Sequence, residues 1–267
     1  MERTYWLRQT PDLPLFTDLE WSRPENRANA GKLLIIGGNA HGFAAPAEAY
    51  DAASKAGIGT ARVLLPNAIR KIVGPMLENG EFAPSTPSGS FGQQALDELL
   101  LQASWADGAL LAGDLGRNSE TAIVVEKFLQ KSSLPVTITK DAVEYITSTP
   151  QSILNRPNTL LVLSLSQLQR LATAVKYTTP ISFSMDLLHL VEWLHGFSQT
   201  YLPYIIVKHL DRVLVAGQGR VSSTEAKINQ SVWRVTTAAY ASVWWLQNTS
   251  KPFEAMTVAV RLTQQSA

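Results

Sequence analysis

Gly37-Gly38-Asn39-Ala40-His41-Gly42 closes a short apolar run, and its glycines let a backbone approach a phosphate or an amide closely. The same hexapeptide would also serve as a tight turn that reverses the chain. Gly113-Asp114-Leu115-Gly116-Arg117 offers Asp114 to a ligand hydroxyl and the planar fork of Arg117 to a phosphate. A turn-organising Asp114 and a solvated Arg117 are the plainer alternative. In Thr139-Lys140-Asp141, Asp141 suits a general base, a hydroxyl ligand or an ordinary helix cap. All three segments follow predicted strands, and that is where doubly wound sheets bind anionic, nucleotide-like ligands.

Other chemistries lack their residues. Neither G-x-G-x-x-G nor G-x-x-x-x-G-K-[ST] occurs, and there is no G-x-S-x-G nucleophile turn. The absence of cysteine removes disulfides, thiolate metal sites and a cysteine nucleophile. His41, His189, His195 and His209 are not spaced to bring two imidazoles and a carboxylate together, so no metal site is expected. Trp233, Trp244 and Trp245 fall on an apolar helix and are read as core or subunit interface rather than as a stacking platform.

The elements that must position these loops are legible from periodicity. Lys32–Ile36, Thr60–Leu65, Gly108–Ala112, Pro135–Thr139 and Leu160–Leu163 are strand-like, and helical stretches follow them at 44–56, about 68–73 (capped by Asn67), 119–130 (capped by Asn118 or Ser119), 142–146 and 166–174. A further helix is expected at 93–103, and 80–92 reads as a loop. Continuous apolar strands alternating with amphipathic helices predict an α/β fold, a doubly wound and mostly parallel sheet with helices on both faces. Tyr204–Val207 and Arg212–Val215 predict an antiparallel edge hairpin followed by a turn at Gly217-Gln218-Gly219, and 231–246 and 252–264 predict two closing helices.

With 267 residues, one domain is expected to span 1–267, residues 1–30 forming an extension that packs on the core. The 23 basic and 22 acidic side chains nearly cancel, so no global field favours nucleic acid or an anionic membrane. Neither a secretory signal in the first thirty residues nor a membrane-length apolar run is visible, and the chain reads as cytoplasmic.

The order of these loops resembles the ADP-dependent NAD(P)H-hydrate dehydratase family of the ribokinase-like superfamily, over roughly Arg27 to Leu262. The best stretch runs from Gly31 through Gly37-Gly38-Asn39-Ala40-His41-Gly42 to Lys55-Ala-Gly-Ile-Gly59, similar to a strand, substrate loop, helix and A-G-x-G turn. Gly113-Asp-Leu-Gly-Arg117 is similar to G-P-G-L-G-R segments, with Asp114 in place of proline. Pro135-Val-Thr-Ile-Thr-Lys-Asp-Ala142 resembles P-V-V-L-D-A-D-A, keeping Asp141 and carrying Thr139 for the earlier aspartate. Lys208 falls at the lysine of a V-L-K-G strand, and Pro252-Phe-Glu-Ala255 at a late helix start.

The resemblance implies a nucleotide-like small-molecule ligand, with ADP or ATP as cofactor (Mg2+ accompanying ATP), and a homo-oligomer, dimer or tetramer. It assigns substrate binding to Gly37, Gly38, Asn39, His41 and Gly42, and nucleotide binding to Gly113, Gly116, Arg117 and Lys208. Catalysis falls to Asp141 and Thr236. Departures accompany it: Leu163-Ser-Leu-Ser-Gln167 stands for a T-P-H-P-G-E segment, and between Thr224 and Thr237, where a G-x-G-D anion hole belongs, there is neither glycine nor aspartate. Thr236 takes the aspartate's place, and a hydroxyl needs another group to activate it near neutral pH. General acid–base catalysis is worth about 10² to 10⁴ in rate, and an oxyanion-type donor set about 10² to 10³ more. The expected reading is therefore a hydro-lyase relative with reduced or lost activity. Its alternatives are a non-catalytic nucleotide-binding or scaffold pseudoenzyme, and an enzyme whose base has moved to Asp114 or Glu225.

Overall fold

The computed structural model describes residues 3–76, 80–226 and 233–265. Its strands are β1 (Trp6–Gln9), β2 (Lys32–Gly37), β3 (Thr60–Pro66), β4 (Gly80–Ala83), β5 (Gly108–Gly113), β6 (Val136–Thr139), β7 (Thr159–Leu163), β8 (Tyr204–His209), β9 (Arg212–Gly217) and β10 (Arg220–Glu225). The helices are α1 (Asp18–Trp21), α2 (Ala44–Lys55), α3 (Arg70–Val73), α4 (Ala95–Trp105), α5 (Ser119–Lys131), α6 (Ala142–Thr147), α7 (Pro150–Leu154), α8 (Leu165–Ala174), α9 (Leu187–Thr200), α10 (Arg234–Gln247) and α11 (Pro252–Gln265).

All ten strands form one sheet in the order β1-β10-β9-β8-β7-β6-β5-β2-β3-β4. The run from β8 to β4 is parallel throughout, and β8, β9 and β10 pair antiparallel. Period-two alternation sends neighbouring side chains to opposite faces. Leu34, Ile36, Leu161 and Leu163 enter a core beneath α4 to α9. Leu33, Ile35, Leu160 and Val162 enter the other, against α2, α10 and α11. Trp244 and Trp245 are buried in this second core, so the tryptophan-bearing helix is a core element.

Several elements depart from the sequence expectations. Gly80–Ala83 is a strand on the far edge, parallel to β3, and the turn-rich loop begins only at Pro84. Asn67 caps nothing: a 3-10 turn at Asn67–Ile69 precedes α3. The helix at Leu187–Thr200 had no expectation; Asp186 caps it by accepting from His189 N at 2.9 Å. Gln218 and Gly219 both have positive φ (53° and 73°), the conformation of a tight hairpin turn, so the chain returns as β10. Beyond β10, β1 adds in parallel and becomes the edge. The first closing helix begins at Arg234; the expected start at Ser231 lies outside the described residues.

Candidate functional site

A cleft of about 820 Å³ opens at the carboxyl ends of β5 and β6, beside the first turns of α5, α8 and α10. Its floor comes from the loop after β5. Gly113 (φ 107°) and Asp114 (φ 57°) turn the chain through left-handed geometry that glycine adopts freely and aspartate tolerates. That turn aims the Asp114 carboxylate away from the cleft, where Oδ2 accepts from Ala45 N in the first turn of α2 at 2.7 Å. Asp114 Oδ1 takes a hydrogen bond from Lys140 Nζ at 3.0 Å. Of the two readings of Asp114, the structure favours the turn organiser.

The hexapeptide after β2 locks onto the same turn. Gly38 N donates to Gly113 O (3.0 Å), Asn39 Nδ2 donates to Asp114 O (2.5 Å), and Asn39 Oδ1 accepts from His41 N (2.7 Å). A Cβ at Gly37 would stand 2.5 Å from Gly113 O, so the close approach of these loops requires glycine. Gly37, Gly38, Asn39, His41 and Gly42 therefore shape the floor from behind and are not among the residues that line the cleft.

Asp141 does face it. The residue sits at the start of α6, yet its side chain makes no cap bond to that helix. Instead Oδ2 accepts from Gly116 N at 3.2 Å, bridging the loops after β5 and β6. Oδ1 is buried and has no hydrogen-bond partner among the described residues. Burial pushes this carboxyl above the ordinary carboxylate range; the Gly116 N–H pulls it down and the nearby Asp114 charge pushes it up again. Tyr145 clamps the same loop, donating to Gly116 O at 2.6 Å, and burial raises its phenol. Asn118 caps α5 through Oδ1, which accepts from Glu120 N at 2.8 Å.

The remaining wall is basic: Arg117, Lys140, Arg170 and Arg234 stand around the carboxylates of Asp141 and Glu144. Arg170 holds Glu144 through two hydrogen bonds of 2.6 and 2.5 Å. Gln167 ties three elements together, donating to Lys140 O (2.7 Å) and Glu144 Oε1 (3.2 Å) and accepting from Arg234 Nη1 (2.8 Å). It is also the far member of a capping box with Ser164. That S-x-x-Q pattern is readable in the sequence as a helix start, although not as part of a site. Glu144, Arg170 and Arg234 carry no sequence signal, because only the fold brings 144, 170 and 234 together.

Other expected residues lie apart. Thr236 Oγ1 donates to Glu48 Oε1 at 2.7 Å, joining α10 to α2 outside the cleft lining. Lys208, next to last in β8, is half-buried and also outside that lining. Glu225, at the end of β10, pairs with Arg212 at 3.0 Å. Of the stretch from Thr224 to Thr237, where the resemblance puts an anion hole, residues 227–232 lie outside the described residues. Among the described residues no group of three or more His, Cys, Asp or Glu side chains could hold a metal ion, and no helix is long and apolar enough to cross a membrane.

The fold recurs in solved structures. A ribokinase-like superfamily protein from Enterococcus faecalis superposes with a TM-score of 0.71 at 16% identity, over 99% of this chain and 88% of that one. The chain has the ribokinase-like fold. The ADP/ATP-dependent NAD(P)H-hydrate dehydratase of Bacillus subtilis, co-crystallised with ATP/Mg2+, superposes with a TM-score of 0.63 at 14% identity, over 94% of this chain and 87% of that one. In sequence, the bifunctional NAD(P)H-hydrate repair enzyme of Moorella thermoacetica is 28% identical over 116 residues, 42% of this ribokinase-like chain. That match spans only 22% of the repair enzyme's length. No protein-family model matches. The sequence comparison thus finds a resemblance to an NAD(P)H-hydrate repair enzyme, and the structural comparison a fold shared with an NAD(P)H-hydrate dehydratase.

Proposed function

We propose that this ribokinase-like chain binds a nucleotide in the cleft and is a relative of the NAD(P)H-hydrate dehydratases with reduced or lost dehydration activity. The charge of the cleft carries the reading: four cations surround two carboxylates, one of which, Glu144, is already spent on Arg170. Such a wall suits phosphates better than it suits proton transfer. Gly116 and Arg117 stand where a phosphate would meet the start of α5. Gly113 and Lys208 belong to the same proposal through their place in the fold, and the hexapeptide through the loops it braces.

Asp141 is the one carboxylate of the wall without an ion-pair partner, and it is the base on which any remaining turnover depends. The Thr236 hydroxyl has the activating partner it needs in Glu48, but that pair stands outside the cleft lining. Titration calorimetry with ADP, ATP and NADPH tests the nucleotide site; heat from at least one is expected, and silence from all three removes the reading. An NADPH-hydrate assay follows, with turnover expected far below that of an active dehydratase and abolished by Asp141→Asn. Full-rate turnover that survives Asp141→Asn would contradict both the impairment and the base.

A further inference from the structure

Within the cleft one cation is placed at an electrostatic cost that the nearby carboxylates of Asp141 and Glu144 offset only in part. Arg234 occupies the first turn of α10, where the helix dipole repels positive charge, and that turn has no acidic residue and no side-chain cap. The guanidinium is half-buried, and burial lowers its pKa while Asp141 and Glu144 draw it partly back. Among the described residues its one hydrogen-bond partner is the neutral Gln167, and no carboxylate of those residues lies within ion-pair distance. A guanidinium has five N–H donors in a fixed fork. Among the described residues Arg234 uses one of them, and it lines the cleft with Arg170 and the exposed Arg117, which has no partner among those residues.

The carboxylates give the complementary half of the argument. A nucleotide that arrives as a magnesium complex commonly keeps its cation with the help of one or two protein carboxylates. Here Glu144 is held by both terminal nitrogens of Arg170, Asp114 by Lys140 and Ala45 N, and Asp141 by Gly116 N with its other oxygen buried. Counting Asp114, which Lys140 holds, four cations stand against three carboxylates, and the net charge of +1 suits an anion whose charge has not already been cancelled by a metal.

We propose that Arg234, together with Arg170 and Arg117, binds the polyphosphate of the nucleotide directly, so that this cleft takes the metal-free form. The inference rests on the nucleotide reading above and narrows it to a charge state and to a residue that fixes specificity. The neutral nucleoside contributes little to affinity on this account, and the anion contributes most of it.

Calorimetry on the full chain with ADP, adenosine and inorganic pyrophosphate, each in EDTA and in excess Mg2+, tests this. ADP is expected to bind at least about tenfold tighter than adenosine, and no weaker in EDTA than in Mg2+. Arg234→Gln should weaken ADP and pyrophosphate by roughly 10- to 100-fold, the loss of a charge-assisted contact, and leave adenosine unchanged. Arg170→Gln, which also frees Glu144 to repel the anion, should do the same and serves if the first variant does not fold. ADP that binds only with Mg2+, or no better than adenosine, or equally well in the variants, overturns the proposal while the nucleotide site stands. Pyrophosphate binding that depends on Arg234, without binding of either nucleoside compound, keeps the arginine site and removes the nucleotide reading. Silence from all three ligands removes both.

Discussion

Asp141 and Asp114 are two carboxylates on adjoining loops with opposite surroundings, and each makes a separate prediction. Asp141 is raised by burial, so the folded chain holds that proton more firmly than the unfolded chain does. Stability from such a group is greatest below its unfolded value, falls as pH rises through the window up to the folded value, and stays lowered above it. Asp141→Asn keeps an oxygen for the Gly116 N–H and removes the charge. The variant should melt above the parent at pH 7, with the gap closing as pH falls toward 4; thermal melts across that range would show it, and a lower melting point at pH 7 would refute it. Asp114 supplies a cap for α2, a partner for Lys140 and a left-handed residue at once. Asp114→Ala should cost about 2–3 kcal/mol in urea unfolding, summed from a lost cap, a lost pair and backbone strain. Asn tolerates the same backbone and keeps an acceptor, so Asp114→Asn should cost roughly half as much.

At the scale of elements, one half-buried side chain fastens three of them. Arg156 donates through Nε to Leu129 O, through Nη1 to the carbonyls of Pro157 and Asn158 and to Thr159 Oγ1, and through Nη2 to the carbonyls of Ser132 and Leu134. The end of α5 and the starts of β6 and β7 therefore meet on one guanidinium, whose burial lowers its pKa. Arg156→Met fills similar space but leaves those carbonyls short of donors; a loss of about 3 kcal/mol is expected in urea unfolding, and a loss under about 1 kcal/mol would mean that water replaces the arginine. Nothing about a lone arginine between two prolines and two asparagines marks it in the sequence. The inner strands of the parallel sheet, from β8 to β3, are legible because burial on both faces makes them continuous apolar runs. β1, β4 and β10 are not, since edge and near-edge strands mix polar residues such as Gln9, Glu81 and Ser222 into short segments. The site divides in the same way. Gly113, Gly116, Arg117 and Asp141 could be picked out beside strand ends, whereas the charges that decide the cleft's character come from helices whose packing no local pattern encodes.

For the whole molecule the ordering of the sheet poses a question at its β1 edge. β10 is buried from Val221 to Thr224, and its outer backbone groups pair with β1, a strand of only four residues. Short edge strands that end in proline protect a sheet against pairing with another chain, and Pro11 follows β1 closely. Side chains reinforce the seam: Trp6 Nε1 donates to Ser223 Oγ at 3.0 Å, while the fully buried Gln9 donates to Thr224 Oγ1 at 3.0 Å and to Thr257 O at 3.2 Å. Removing residues 1–9 would expose the row of N–H and C=O groups along β10 and leave Ser222, Ser223 and Thr224 facing water on a newly made edge. The truncated chain should keep its parallel sheet and the cleft, both remote from β1, and so should still bind whatever ligand the full chain binds. Its amides at 221 and 223, the ones that face β1, should exchange faster by about 10² or more, as expected when local opening loses roughly 3 kcal/mol of protection, and light scattering should report self-association through the bare edge. Unchanged exchange at 221 and 223 would show that β1 lies against β10 without holding it.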